Sequence, residues 1–334
     1  MHGNDMDKVG DIRQLAGMER VKNLEGREKG NELIRVRNGN GLNFDIQMDR
    51  GMDIGRCECN GVPISWISPS GFASPPFYNS EGRKWEKTFG GGLITTCGLQ
   101  TVGKPSEVGG EHYGLHGSIS HTPGELIEKN SYWINDTYIQ KMKGRMIEVL
   151  DIGEVFELER TVYTSSNSNE IEIYDQVTNI SYKSQYHAMM YHVNLGYPLL
   201  SESTKMRLPD SDMESINGNM AEERVDQFPP PKESASPTVI LHHLKGPNEK
   251  TILVSNFITT LEKKLHLKME WDTETMPKLT QWKHPGRGKY VMGLEPGNVS
   301  TKGRDVLIRE GEMPALDPHE SVSYSIKIKM EWEG

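Results

Sequence analysis

Apolar and polar residues alternate with a period of two in segment after segment of this chain. Glu32-Leu33-Ile34-Arg35-Val36-Arg37, Leu42-Asn43-Phe44-Asp45-Ile46-Gln47-Met48 and Glu154-Val155-Phe156-Glu157-Leu158-Glu159-Arg160-Thr161-Val162-Tyr163 show it clearly. So do Glu170-Ile171-Glu172-Ile173-Tyr174-Asp175-Gln176-Val177-Thr178 and Ser321-Val322-Ser323-Tyr324-Ser325-Ile326-Lys327-Ile328-Lys329-Met330, while Thr251-Ile252-Leu253-Val254-Ser255-Asn256 is rich in β-branched residues. Strict alternation buries one face of a strand and wets the other, as in antiparallel sheets. Gly and Pro, 34 and 18 in number, separate these segments throughout the chain and gather into no single linker. Strands recurring between turn signals predict an all-β sandwich or barrel.

Helical periodicity is scarce. Asp11-Ile12-Arg13-Gln14-Leu15-Ala16-Gly17 predicts one short helix, with Asp11 as its cap and Gly17 as its stop. The polar stretch Glu202 to Pro237, with Pro229-Pro230-Pro231, reads as a long surface excursion between strands. No repeat of solenoid or propeller period is present. The organisation expected is an N-terminal extension over 1–30 that carries the short helix, then one large β domain over 31–334.

Composition narrows the classes. A chain of 334 residues buries enough surface to hold a core without disulfides. Its three cysteines, Cys57, Cys59 and Cys97, form no disulfide framework and read as reduced thiols in a cytoplasmic protein. A net charge of −9 argues against a nucleic-acid partner, which needs a clustered basic face. No run approaches the ~18–20 apolar residues that span a bilayer. The opening residues are polar and acidic, unlike the apolar centre of a secretory signal.

Candidate chemistry centres on histidine. His112, His116 and His121 fall close together, and His187 and His192 form a second group. Their spacing puts no metal-ligand set on one face of a helix or strand, so no metal is expected. Proton transfer near neutral pH suits a histidine with a carboxylate partner. Glu295 ends an apolar strand in Tyr290-Val291-Met292-Gly293-Leu294-Glu295-Pro296-Gly297, where burial can perturb its titration, although a strand-end glutamate can equally serve loop amides. Phe89-Gly90-Gly91-Gly92-Leu93-Ile94-Thr95-Thr96-Cys97-Gly98 lacks phosphate-loop spacing, so its glycines mark close backbone approach, and nothing local marks Cys97 as a nucleophile. Arg50, between Asp49 and Asp53, reads first as a structural ion pair and second as a sugar-hydroxyl contact. Gln281-Trp282 joins an amide to an aromatic ring, the usual furniture of a sugar site, although a core Trp is commoner.

Taken in order, Gly114-Leu115-His116-Gly117, Tyr191-His192-Val193-Asn194-Leu195 and Leu294-Glu295-Pro296-Gly297-Asn298 resemble the aldose 1-epimerase (galactose mutarotase) superfamily. Asp49-Arg50-Gly51-Met52-Asp53-Ile54 and Leu279-Thr280-Gln281-Trp282-Lys283 are similar to a bacterial branch of aldose-1-epimerase-like proteins. The resemblance runs from about residue 10 to the C-terminus. It implies a galactose mutarotase-like β-supersandwich, a small-molecule carbohydrate as substrate and no cofactor. It implies His192 as general acid, Glu295 as general base and His116 as a sugar-polarising contact. His112, Arg50, Gln281 and Trp282 complete the expected substrate-binding set.

Ser118 stands where related epimerases often carry an arginine after the His-Gly pair, no Asn-Arg motif precedes His116, and Asp272 is the stand-in for a hydroxyl-binding aspartate. The sugar is therefore left unassigned. Two other functions share the scaffold: a non-catalytic carbohydrate-binding protein, and an isomerase or lyase acting on a keto-sugar or uronate. The partners expected are the carbohydrate and a further copy of the chain, with neither nucleic acid nor membrane.

Overall fold

Two large antiparallel sheets lie face to face in the computed structural model, which describes residues 3–151, 153–217, 224–245 and 251–333. From edge to edge the first runs Gly17–Lys22, Glu32–Arg37, Leu42–Gln47, Asp53–Cys59, Ile94–Leu99, Ala188–Leu195, Lys289–Gly297, Lys278–Gly286, Thr238–Leu244 and Ser211–Asn217. Val62–Pro63 is an eleventh strand, paired with Asp53–Cys59. The second runs Lys205–Arg207, Thr251–Ile258, Lys263–Trp271, Ser321–Glu333, Ser168–Asn179, Glu154–Ser165, Thr137–Asp151 and Glu125–Ile134. This is the all-β fold that the alternation predicts. Among the described residues no helix is long and apolar enough to cross a membrane.

The two sheets differ in what covers them, and the sequence pattern follows from that. In the second sheet, Glu154–Ser165 and Ser168–Asn179 alternate between core and surface. Phe156, Leu158 and Val162 enter the inter-sheet core with Ile46, Ile54 and Met146 of other strands. The middle of the first sheet is covered on both faces, so all eight residues of Ala188–Leu195 and all six of Ile94–Leu99 are buried. Its outer cover is a second apolar cluster that includes Trp85, Phe89, Cys97, Met190, Val299 and Leu307. Strands buried on both faces read as continuous runs without alternation.

A buried cluster of charged residues interrupts the inter-sheet core. Arg160 follows Phe156 and Leu158 on their inward face and is fully buried. A buried guanidinium is costly unless every donor is met. Nε and Nη2 donate to Asp175 at 2.9 and 2.6 Å, and Nη1 to Asp53 and the Gly51 carbonyl at 3.0 Å each. Nη2 also donates to Thr96 Oγ1 at 2.8 Å, and the Tyr191 hydroxyl donates to Asp175 at 2.8 Å. Thr96 and Tyr191 belong to the first sheet, so this cluster pins that sheet from below. Their neighbours Thr95 and His192 face the other way, because successive side chains alternate.

Four local differences from the expected elements stand out. The helix expected at Asp11–Gly17 is a single 3-10 turn, Ile12–Gln14, with Asp11 capping the Arg13 amide at 2.8 Å. Gly17 begins a strand paired with Glu32–Arg37, so the first sheet starts inside the segment 1–30. The α-helix Arg304–Glu310, closed by Gly311 at φ 71°, is too short for its period to show in sequence. The excursion after Glu202 contributes an edge strand to each sheet, Lys205–Arg207 and Ser211–Asn217.

Candidate active site

Antiparallel register brings four polar side chains into one row on the outer face of the first sheet. Thr95 pairs with His192, Thr280 pairs with Glu295, and Val193 opposite Leu294 sets His192 beside Glu295. His192 and Glu295, 103 residues apart in sequence, thus lie on adjacent strands by backbone pairing alone. His192 Nε2 stands 3.0 Å from Glu295 Oε1 with both side chains buried. The contact lacks hydrogen-bond alignment: Glu295 Oε1 and His192 Nδ1 have no hydrogen-bond partner in the protein. Buried polar atoms are seldom left unpaired except where a ligand or water serves them.

The row opens into a cavity of about 550 Å³. Trp66, Trp85, Phe89 and Trp282 give it aromatic walls, and His116, Thr280 and Thr301 add polar groups. Phe89 stacks on Trp85 with ring centres 4.7 Å apart, and Trp282 meets His192 edge-on at 5.5 Å. A Ser120 hydroxyl accepts the Trp85 indole N–H at 3.1 Å, while His121, stacked on Tyr78, bonds the same hydroxyl. The volume and the mix of aromatic faces with few polar groups suit a small polar molecule.

His116 reaches the same cavity from a loop. Its ring lies edge-on to that of His192, with centres 5.8 Å apart. The Gly103 amide donates to His116 Nδ1 at 3.2 Å, so Nδ1 is the bare nitrogen and Nε2 carries the proton. Burial pushes the His116 pKa well below the ordinary histidine value, and the His192 and Arg83 charges push it the same way. At neutral pH it is an uncharged N–H donor. Gly103 can hold it because its φ of 78° suits glycine and a β-carbon there would stand 2.2 Å from the Thr301 carbonyl.

Of the residues expected from sequence, His192, Glu295, His116 and Trp282 converge on this cavity, and three others do not. Arg50 is buried elsewhere and donates to the carbonyls of Ala73 at 2.7 Å and Thr88 at 2.9 Å, bracing two loops. His112 sits on an exposed hairpin, 3.5 Å from Glu107. Gln281 points to the opposite face of its strand from Trp282 and donates to the Val225 carbonyl at 3.0 Å. The period of two already forbids adjacent strand residues from sharing one face, and the same rule would have found Thr280 and His284 beside Trp282. Asp272 also lies away from the cavity, in a turn where it accepts the Glu274 amide at 2.9 Å. Trp66, Phe89, Arg83 and Lys104 come from loops and Trp85 from the short 3-10 helix Lys84–Thr88, and no local pattern marks them.

Comparison with known proteins bears on the family and the fold. A family model described as "Domain of unknown function (DUF4432)" matches residues 28–330. The curated proteins contain no sequence that matches the chain. Among solved structures, one from Klebsiella pneumoniae subsp. pneumoniae MGH 78578, described as a "putative aldose 1-epimerase", superposes with a TM-score of 0.84 at 22% identity, covering 99% of this chain and 86% of that one. A galactose mutarotase-like protein from Clostridium acetobutylicum gives 0.61 at 15% identity, over 95% and 99% of the two chains. Galactose 1-epimerase from Lactobacillus acidophilus NCFM gives 0.61 at 14% identity, over 96% and 100%. At these identities the likeness is one of fold: the two sheets form a galactose mutarotase-like sandwich.

Proposed function

This chain belongs to the family described as Domain of unknown function (DUF4432), and from that premise we propose that it is a carbohydrate epimerase that interconverts the anomers of an aldose. The observation that carries the reading is the buried contact of His192 with Glu295, 3.0 Å apart and each with an unpartnered polar atom, beside a sugar-sized cavity. Anomer exchange needs an acid and a base at a single carbon, because the anomeric hydroxyl and the ring oxygen share C1. Two adjacent proton-carrying groups suit that demand.

In the proposed reaction Glu295 takes the proton of the anomeric hydroxyl while His192 protonates the ring oxygen. The C1–O5 bond breaks, giving the open-chain aldehyde with no net change of charge in the sugar. Rotation about C1–C2 presents the other face of the carbonyl, and the reverse transfers close the ring. His116, an uncharged N–H donor, binds a sugar oxygen, and Trp282 and Phe89 cover the apolar faces of the ring. Aromatic walls exclude water and strengthen the polar contacts within.

The test is NMR magnetisation exchange between α and β anomers across a panel of neutral and acidic aldoses, with and without protein. Exchange above the spontaneous rate for one member of the panel supports the reading. A sugar that binds without faster exchange assigns the chain to carbohydrate binding instead.

A further inference from the structure

Three cationic residues line the cavity beside two carboxylates, Glu86 and Glu295, in a chain whose net charge is −9. Arg83 and Lys104 line it on the loops around His116, and Lys289 lines it at the start of the strand that carries Glu295. Arg83 is already paired with Glu86. Among the described residues no carboxylate stands within ion-pairing distance of Lys104 or Lys289. Beside Lys104 lies Thr301, whose buried Oγ1 has no hydrogen-bond partner in the protein although the residue lines the cavity.

One turn ties these groups to the proposed reaction centre. The Gly103 amide holds His116, and the next amide, that of Lys104, donates to the Thr301 carbonyl at 3.3 Å. Lys104 and Thr301, with its unpartnered hydroxyl, therefore belong to the turn that holds the residue that would polarise the sugar. A neutral aldose would leave this charge without a counterpart, whereas an oxyanion on the sugar would meet a charged donor and a neutral one.

We propose that the substrate is an anionic aldose, whose carboxylate or phosphate is held by Lys104 and Thr301, with Lys289 adding attraction at longer range. This rests on the reading of the cavity as the sugar site and names the class of sugar. The same charges would draw the anion in from solution, an effect that salt weakens.

Glucuronate and glucose 6-phosphate separate the two oxyanions, with glucose and galactose as neutral references. The expected result is a higher kcat/KM for one anionic sugar than for both neutral ones, falling as salt rises in the wild-type protein. In Lys104→Gln the ratio of anionic to neutral kcat/KM should drop by about ten-fold, the order for losing a hydrogen bond to a charged group. Neutral sugars turned over as well as anionic ones, or a preference insensitive to salt and to Lys104→Gln, overturn the proposal and leave the epimerase reading standing. No accelerated exchange with any sugar overturns both.

Discussion

A β-carbon on Gly293 would stand 2.4 Å from Glu295 Oε1 and 2.9 Å from His192 Cε1. Both residues of the proposed acid–base pair therefore occupy space that only glycine leaves open. Gly293 also pairs with Trp282 across the strands, so the same gap lies beneath the aromatic wall. Its φ is not in the left-handed region, so alanine is allowed by the backbone and excluded by the side chains. Gly293→Ala should fold, with a stability loss of about 1–3 kcal/mol for overpacking, and lose most anomer exchange. Thermal unfolding and NMR exchange on one preparation check it. Wild-type exchange in the variant would show that the placement of the pair is not critical.

Glu295→Gln keeps shape and most contacts and removes the proposed base. The turnover number is expected to fall by about 10²–10⁴-fold while sugar affinity changes little. If Glu295 only served loop amides, the variant would exchange anomers normally and melt at a lower temperature. Exchange rate, sugar titration and melting temperature on the same protein separate the two.

How much of this site was legible in the sequence depends on what covers each strand. The second sheet could be read directly, because strands such as Glu154–Ser165 keep one face toward the core. Ala188–Leu195 hides its direction because both faces are covered, and only the resemblance singled out His192 on it. Arg50 failed as a sugar contact because its guanidinium is spent on two loop carbonyls, contacts that depend on where distant loops settle. Gln281 failed for a local reason, its parity on the strand. Arg83, Lys104 and Trp85 were not legible at all, since residues on loops and a short 3-10 helix reach the cavity by long-range packing that no periodicity records.

His116 has a φ of 60°, a backbone conformation that asparagine tolerates better than most residues. His116→Asn should therefore keep the loop while withdrawing the imidazole N–H from the cavity. The expected effect is a rise in KM of about ten-fold with a smaller change in kcat, the signature of lost binding rather than lost chemistry. A fall in kcat matching that of Glu295→Gln would instead put His116 in the proton transfers.

Ring opening by paired proton transfers balances its charges without a Lewis acid. Anomer exchange should survive prolonged EDTA treatment and dialysis with its rate unchanged. Loss of activity on chelation, recovered with zinc or manganese, would require a different mechanism.

His187 provides the clearest expected pH dependence of stability. Its Nδ1–H donates to the Leu99 carbonyl at 2.8 Å, and Nε2 accepts the Tyr324 hydroxyl at 2.9 Å, so the folded ring is neutral and fully partnered. Burial lowers its pKa to about 4 from 6.5. Between those values the unfolded chain holds a proton there that the folded protein lacks. Unfolding then takes up protons, so the stability contributed is complete above the unfolded value and is lost as pH falls toward the folded one. The slope reaches about 1.4 kcal/mol per pH unit, or about 3 kcal/mol over the window. His187→Gln abolishes this titration whatever it costs in packing. Denaturant unfolding from pH 7.5 to 4.5 should thus show the gap between wild type and variant narrowing as pH falls. Other titrating groups, such as Glu148 raised by its own burial, act in both proteins and cancel in the difference. Two curves that stay parallel would mean that His187 is charged in the fold, in conflict with its hydrogen bond from Tyr324.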